Sequence, residues 1–256
     1  MNCEKFKIRY PEKECTLDQD EEWVTIVTQD STEKIKLHDY EKFYEIPGLY
    51  EKVIYDKLKC DSHRVICELL NTEIEKAVFN KNKLRVLDFG AGNGVVGECL
   101  DKVVGCQILV GFDIIQQARD AVERDRPKLY DQYYVMDISQ MDECKQKILN
   151  EWNFNALVTV GALGYGEIPT QAFINAFNTI EDRGWIAFNI KTRFLSEDDD
   201  TGYKDTLKAM MGDSLEVLQK KRYCHRLSIS GESLYYYAII GRKVNNTHPY
   251  SHKKKA

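Results

Sequence analysis

The stretch that most constrains this chain is Leu84-Arg-Val-Leu-Asp-Phe-Gly-Ala-Gly-Asn-Gly94. Leu84, Val86 and Leu87 make the short apolar run of a buried parallel strand. Asp88 follows, then glycines at 90, 92 and 94, then Val95, Val96, Cys99 and Leu100 on one face of a helix. The order is strand, glycine turn, helix. Glycines admit positive φ and let a ligand lie against bare backbone. In open α/β sheets the carboxyl end of such a strand is where nucleotides bind.

The turn admits two kinds of ligand. Gly92-x-Gly94-x-x-Gly97 satisfies the dinucleotide fingerprint G-x-G-x-x-G. Asp88 argues against it, because a carboxylate beside the turn repels a pyrophosphate and suits a cation. The run Val86-Leu-Asp-x-Gly-x-Gly-x-Gly94 instead resembles motif I of the class I S-adenosylmethionine-dependent methyltransferases, whose cofactor carries an ammonium and a sulfonium and no phosphate. The remaining alternative is a glycine turn with no ligand. The resemblance implies S-adenosyl-L-methionine as cofactor, S-adenosyl-L-homocysteine as its product, and Asp88, Phe89, Gly90, Ala91, Gly92, Asn93 and Gly94 as cofactor-binding.

The segments downstream extend the pattern. Gln107-Ile-Leu-Val-Gly-Phe-Asp113 reads as a second strand ending in an acid. Such an acid accepts hydrogen bonds from ribose hydroxyls, or caps the helix that begins at Ile114; the two roles are compatible. This resembles motif II of the same family. Tyr133-Tyr-Val-Met-Asp137 reads as a third strand. There the resemblance implies that Asp137 and Ile138 bracket an adenine with Met136 beside them, the alternative being a loop-starting aspartate. Phe154–Gly161 reads as a fourth strand, and Val160-Gly-Ala-Leu-Gly-Tyr-Gly166 at its end is expected to face the methyl group, with Val160 and Gly161 nearest. Pro169 suits the first position of a helix. Trp185–Ile190 is a fifth strand, residues 203–219 read as a helix, and Arg226–Ser230 and Leu234–Gly241 make a closing hairpin around Gly231-Glu-Ser. A terminal antiparallel hairpin resembles the family's sixth and seventh strands. Val160-Gly-Ala-Leu, Thr192-Arg193 and Tyr203-Lys-Asp-Thr-Leu resemble the Williams–Beuren-type methyltransferase-like subgroup.

The expected fold is therefore α/β and Rossmann-like: a seven-stranded, mostly parallel sheet with helices on both faces and a C-terminal antiparallel hairpin, over residues 49–243. Residues 1–48 form an N-terminal extension acting as a lid, and 244–256 a polar tail. Within the extension, 1–22 reads as irregular cover. Trp23–Thr28 and Lys34–His38 form a candidate β-hairpin around Asp30-Ser31-Thr32. Past the break at Pro47-Gly48, two helices split near Lys59–Ser62, with Asp61 or Ser62 as N-cap. Tyr40, Phe43, Tyr44, Tyr50 and Tyr55 cluster there. Their rings either pack on the core or form a lid that touches the cofactor and shields its sulfonium by cation–π contact. Tyr50 and Tyr55 are the candidates for the second role.

Composition narrows the function classes. The net charge of −5 leaves no basic surface of the kind nucleic-acid binders show, and the short basic run His252-Lys-Lys-Lys255 reads as solvated tail. None of the eight cysteines is spaced C-x-x-C, so no zinc site is expected, and Glu197-Asp-Asp-Asp200 reads as a solvated loop rather than a metal site. The longest nearly uncharged apolar run, Ile108–Phe112, is far short of a membrane span. No signal peptide is evident, which points to the cytoplasm. The prolines stand at 11, 47, 127, 169 and 249. They leave no Asn-Pro-Pro-Tyr or Asp-Pro-Pro-Tyr of amino-group DNA methyltransferases, and no Pro-Cys pair of cytosine C5 enzymes. The expected activity is methyl transfer to a small-molecule acceptor by a monomer or homodimer. The alternatives are a protein methyltransferase and a non-catalytic cofactor-binding module acting through a partner. His38, Asp39, Tyr165 and Glu167 are the candidates for a general base, and the sequence selects none of them.

Overall fold

The computed structural model describes residues 6–12, 17–165 and 167–248. An N-terminal antiparallel sheet has the order β1 (Lys7–Arg9), β2 (Trp23–Val27), β3 (Thr32–Lys36). The alternating hairpin is where its pattern puts it. The stretch expected to be irregular adds β1, which pairs Ile8 with Ile26. Val24, Ile26, Ile35 and Leu37 turn one face of this sheet onto Phe43, Leu49 and Val53, so the sheet and the aromatic helices share one core. Helix α1 (Tyr40–Glu45) follows, then a helical segment at Glu51–Lys57 with widened π-type turns, then α2 (Ser62–Lys76). Asp61 precedes α2, but its carboxylate pairs with Arg64 instead of capping the backbone.

The main sheet contains β4 (Arg85–Phe89), β5 (Ile108–Asp113), β6 (Gln132–Val135), β7 (Ala156–Thr159), β8 (Trp185–Lys191), β9 (Leu215–Leu227) and β10 (Ser233–Lys243), in the order β6-β5-β4-β7-β8-β10-β9. The first five are parallel, and β10 is antiparallel to both β8 and β9. Helices α3 (Val95–Cys99), α4 (Gln116–Asp125), α5 (Glu143–Glu151), α6 (Thr170–Asn178) and α7 (Tyr203–Asp213) connect the strands. Neighbouring residues of one strand serve opposite faces. Leu87 packs with Phe173, Phe177, Leu207 and Met210, whereas Val86 packs with Ile66, Leu70, Ile74 and Leu100. Burial on both faces is why the strands read as continuous apolar runs rather than alternations.

Two local expectations change. The helix expected over 203–219 stops at Asp213, and a thirteen-residue strand begins at Leu215. Leu215 pairs with Lys243, so the strand follows β10 along its whole length. It is the sheet edge, and Lys220, Lys221 and Arg222 break its apolar alternation as charged edge strands do. Pro169 is the residue before α6, with extended backbone, rather than its first helical residue.

Connections run in opposite directions from the middle of the sheet: β4 to β5 to β6 on one side, β7 to β8 on the other. The gap between β4 and β7 is the switch point, where the loops at the carboxyl ends part and leave a crevice. Among the described residues no helix is long and apolar enough to cross a membrane, and no group of three or more His, Cys, Asp or Glu is placed to hold a metal ion.

Candidate active site

A cavity of about 230 Å³ opens at the switch point, beneath α1 and the helical segment after it. Its floor is the glycine turn. Gly90, Gly92 and Gly94 have φ of +74°, +53° and +85°, values that make the turn turn inward without a β-carbon. The Gly92 amide donates to Asp113 Oδ2 at 2.8 Å, and its carbonyl accepts from the Tyr133 hydroxyl at 2.7 Å. Asn93 reaches the other way, donating to Glu51 Oε1 at 2.8 Å, and Arg126 pairs with the same carboxylate at 3.0 Å. The turn is thereby tied both to β5 and to the roof.

Asp113 closes that wall. Its Oδ1 accepts from the amides of Ile114 and Ile115 at 2.8 and 3.0 Å. With Gly92 this makes three backbone donors, of roughly four acceptor positions on a carboxylate. Burial pushes its carboxyl above the usual range, and the three amides oppose that shift.

The roof is aromatic. Tyr40 stacks on Tyr44 with centroids 6.0 Å apart, Tyr44 meets Tyr50 at 5.2 Å, Tyr50 meets Tyr55 at 5.8 Å, and Tyr55 meets His63 edge-on at 4.8 Å. These rings pack on one another and also line the cavity.

Opposite the glycine turn lies a polar wall. Glu167 Oε1 accepts from the Tyr40 hydroxyl at 2.9 Å and faces His38 Nδ1 at 3.2 Å. Burial pushes Glu167 up to about 8 and His38 down to about 4. Farther along, His225 of β9 stacks on Tyr236 at 4.0 Å, and its Nδ1 meets Ser62 Oγ at 2.5 Å. Ser62 continues to the Tyr223 hydroxyl at 2.6 Å; Asn189 donates to that hydroxyl and accepts from the Gly161 amide. Burial holds His225 well below the ordinary imidazole range, so it is neutral. Arg226 also lines the cavity but is bound to Glu22 at 2.6 Å.

This geometry suits a ring-bearing cation: a bare-backbone floor, two desolvated carboxyl groups and an aromatic roof. It opposes a pyrophosphate, which needs free backbone donors at the turn, whereas the Gly92 amide is engaged by Asp113.

No family model matches the sequence, and no curated protein matches it. Solved structures do match the fold. A SAM-dependent methyltransferase from Anabaena variabilis ATCC 29413 superposes with a TM-score of 0.54 at 13% identity, covering 80% of this chain and 91% of that one. The N-methyltransferase NodS from Bradyrhizobium japonicum WM9, in complex with S-adenosyl-L-homocysteine, gives 0.53 at 14% identity, covering 82% and 98%. The fold is that of a class I methyltransferase.

Within this methyltransferase fold, most of the residues named from sequence come together. Phe89, Gly90, Ala91, Gly92 and Asn93 from the turn, Asp113 and Ile114 after β5, Met136, Asp137 and Ile138 after β6, Val160 and Gly161 after β7, and Tyr50 and Tyr55 from the roof all line the cavity. Two do not. Asp88 is 1% exposed and turns away from the cavity: Oδ2 accepts from the Tyr130 hydroxyl at 2.7 Å and Oδ1 has no partner. Burial pushes this carboxyl up to about 7. The reading of Asp88 as a ligand-facing charge is therefore corrected: it is an internal group. Gly94 is a packing glycine, since a β-carbon there would meet Leu129 at 3.1 Å and Val122 at 3.2 Å. Gly97, the last glycine of the dinucleotide-like pattern, leaves room for the Tyr130 ring that reaches Asp88. Of the base candidates, His38, Tyr165 and Glu167 reach the cavity and Asp39 does not. The polar and aromatic lining residues missed from sequence include Gln19, Cys60, Ser62, His63, His225, Arg226 and Tyr236. They come from segments far apart in the chain, with no local pattern to mark them.

Proposed function

We propose that the protein is an S-adenosyl-L-methionine-dependent methyltransferase acting on a small-molecule acceptor. One observation carries this reading. Asp113 and Glu167 are two desolvated carboxyl groups on one cavity, and among the described residues neither is paired with a lysine or arginine. Burying ionised carboxyls without a counter-charge is unfavourable, and a cationic ligand supplies that charge. Bound S-adenosyl-L-methionine supplies an electrophilic methyl group. The residues lining the cavity would then divide the work. The backbone of Gly90–Asn93 would hold the amino-acid part, and Asp113 would use its remaining acceptor position for the ribose. Met136, Asp137 and Ile138 would hold the adenine, Tyr50 and Tyr55 would shield the sulfonium, and Val160 and Gly161 would border the transferred methyl. The roof excludes water, which favours a reaction in which positive charge leaves the sulfur, and alignment in the closed cavity supplies much of the rate.

A cavity of about 230 Å³ favours a small acceptor, and the net charge of −5 disfavours nucleic acid. On this reading the methyltransferase domain spans 49–243, with 1–48 as its cover and 244–256 as a tail, in a reducing, cytoplasmic setting that suits free thiols such as Cys60, Cys67 and Cys99.

Calorimetry with S-adenosyl-L-methionine, S-adenosyl-L-homocysteine and NAD tests the first step. Micromolar binding of the first two and far weaker binding of NAD is expected; tight NAD binding with no S-adenosyl-L-methionine binding overturns the reading. Incubation with a metabolite extract, followed by mass spectrometry, tests the second. Accumulation of S-adenosyl-L-homocysteine with a methylated metabolite supports the enzyme. Methylation of protein only points to a protein substrate, and binding without turnover points to a non-catalytic module.

A further inference from the structure

We propose that Glu167 takes up the proton its acceptor loses on methylation, so that the acceptor enters as an N–H or O–H compound. The inference rests on the methyltransferase reading and names the chemistry of its second substrate.

Glu167 stands in the loop between β7, which ends at Thr159, and α6, on the side of the cavity where the transferred group is expected. Both of its contacts fall on Oε1: the Tyr40 hydroxyl at 2.9 Å and His38 Nδ1 at 3.2 Å. Among the described residues Oε2 has no partner, which leaves it for a ligand. The side chain keeps 21% of its surface open, and Glu167 lines the cavity. The group is thus reachable by a bound molecule and poorly solvated at once.

The other titratable groups facing it are unsuited to holding the proton. Tyr40, Tyr50, Tyr203 and Tyr236 sense its charge and are all pushed above the ordinary phenol range, so they stay protonated. Burial lowers His38 to about 4 and holds His225 well below 6.5, so neither imidazole readily gains a proton. Asp113 raises the proton affinity of Glu167 but is itself engaged by three amides; Arg226 lowers it and is bound to Glu22. Glu167 alone is poised near neutrality, at about 8.

The charge balance closes on it. The lone pair of the acceptor nitrogen or oxygen forms the new bond to the methyl carbon while the carbon–sulfur bond breaks and its electron pair stays on sulfur. The positive charge passes to the acceptor and leaves it as a proton, which Glu167 receives on a carboxylate oxygen. A sulfonium and a carboxylate become a thioether and a carboxylic acid. At Glu167 the charge lost by the sulfonium and the charge lost by the carboxylate cancel, so the transfer leaves no new charge in a poorly solvated site.

It follows that the cationic ligand displaces a proton from Glu167 on binding, and the uncharged-sulfur product does not. Calorimetry at pH 7.5 in buffers of differing ionisation enthalpy counts those protons. From a group near 8, more than about half a proton should be released with S-adenosyl-L-methionine beyond that with S-adenosyl-L-homocysteine. Glu167→Gln should abolish the difference while still binding both ligands. Tyr40→Phe removes a hydrogen bond that favours the carboxylate, so it should keep the difference and move its midpoint to higher pH. Equal proton counts in the unaltered protein, an unchanged difference in Glu167→Gln, or an unmoved midpoint in Tyr40→Phe overturns the proposal. Failure of the unaltered protein to bind either ligand overturns the methyltransferase reading instead.

Discussion

The Tyr44 hydroxyl stands 2.5 Å from the point where a β-carbon on Gly92 would lie. The roof of the cavity is therefore fitted to a glycine on its floor, and a ligand resting on Gly92 must displace that hydroxyl. Gly92 also has φ of +53°, a region where a side chain is strained. Gly92→Ala should cost about 1–3 kcal/mol of stability in urea denaturation. Tyr44→Phe in the Gly92→Ala background should recover part of it, because the clashing atom is gone. Strict additivity of the two changes would mean that the roof does not rest on the turn. Gly92→Val, bulkier still, should remove S-adenosyl-L-methionine binding while the circular dichroism spectrum remains that of a folded protein.

Asp113 joins the turn to β5, and its role is both structural and ligand-facing. Asp113→Ala strips acceptors from the amides of Gly92, Ile114 and Ile115. A stability loss of about 2–4 kcal/mol is expected, since hydrogen bonds to a charged acceptor contribute about 1.5–3 kcal/mol and freed donors partly regain water. If the carboxylate also holds the ribose, the unaltered protein should prefer the cofactor over its 2′-deoxy analogue, and the variant should lose that preference. Loss of stability with an intact preference would restrict Asp113 to holding the turn.

These two residues show what local sequence carries. The strand–turn–helix order and the acid at the end of β5 are local patterns, and the structure builds them where the patterns stand. The central strands β4, β5, β7 and β8 were legible for the same reason, since they are buried, continuous apolar runs, whereas the count of seven came from the family resemblance. The direction of a side chain was not legible. Asp88 sits one residue from the turn, yet it faces Tyr130, 42 residues away, and nothing nearby reveals that choice. His225, Arg226 and Tyr236 reach the cavity because the edge hairpin is long enough to fold over it. The charges at Lys220, Lys221 and Arg222 hide that length from any reading of apolar periodicity.

Asp88 has a measurable signature in pH. Its folded value, about 7, lies above the ordinary aspartate value of 3.8, so the folded state holds its proton more tightly than the unfolded chain. The associated stability is complete below about pH 4, is lost as pH rises to about 7, and then stays lost; it amounts to up to about 4 kcal/mol. Asp88→Asn accepts the Tyr130 hydroxyl without titrating. From pH 4 to 8 the variant should gain stability relative to the unaltered protein, because Glu167 and Asp113, with raised values, and His38 and His225, with lowered ones, contribute to both proteins alike. Parallel curves for the two proteins would show that Asp88 ionises freely in the fold.

The ion pair between Arg226 and Glu22 fastens the N-terminal cover to the closing hairpin. Both side chains are almost wholly buried, 4% and 1% exposed, and Glu22 Oε1 also accepts from the Ile229 amide at 2.5 Å. Glu22 immediately precedes β2, while Arg226 lies at the end of β9 and borders the cavity. Removing one partner of such a pair leaves a buried charge without compensation, which costs about 3–5 kcal/mol. Glu22→Ala should destabilise by that amount, and protease should cut the cover before the main sheet unfolds, because β1, β2 and β3 touch the rest of the protein largely through this core. Glu22→Met with Arg226→Met removes both charges together and should recover much of the stability, since two apolar side chains of similar length deprive only the Ile229 amide and the Leu227 carbonyl of a partner. The doubly altered protein then separates fastening from function. If the cover need only be held down, its affinity for S-adenosyl-L-methionine should match the unaltered protein. If Arg226 tunes the cavity, its loss should raise the proton affinity of Glu167, which it lowers, and shift the pH dependence of that binding upward. A Glu22→Ala variant as stable and as protease-resistant as the unaltered protein would show that the pair fastens nothing.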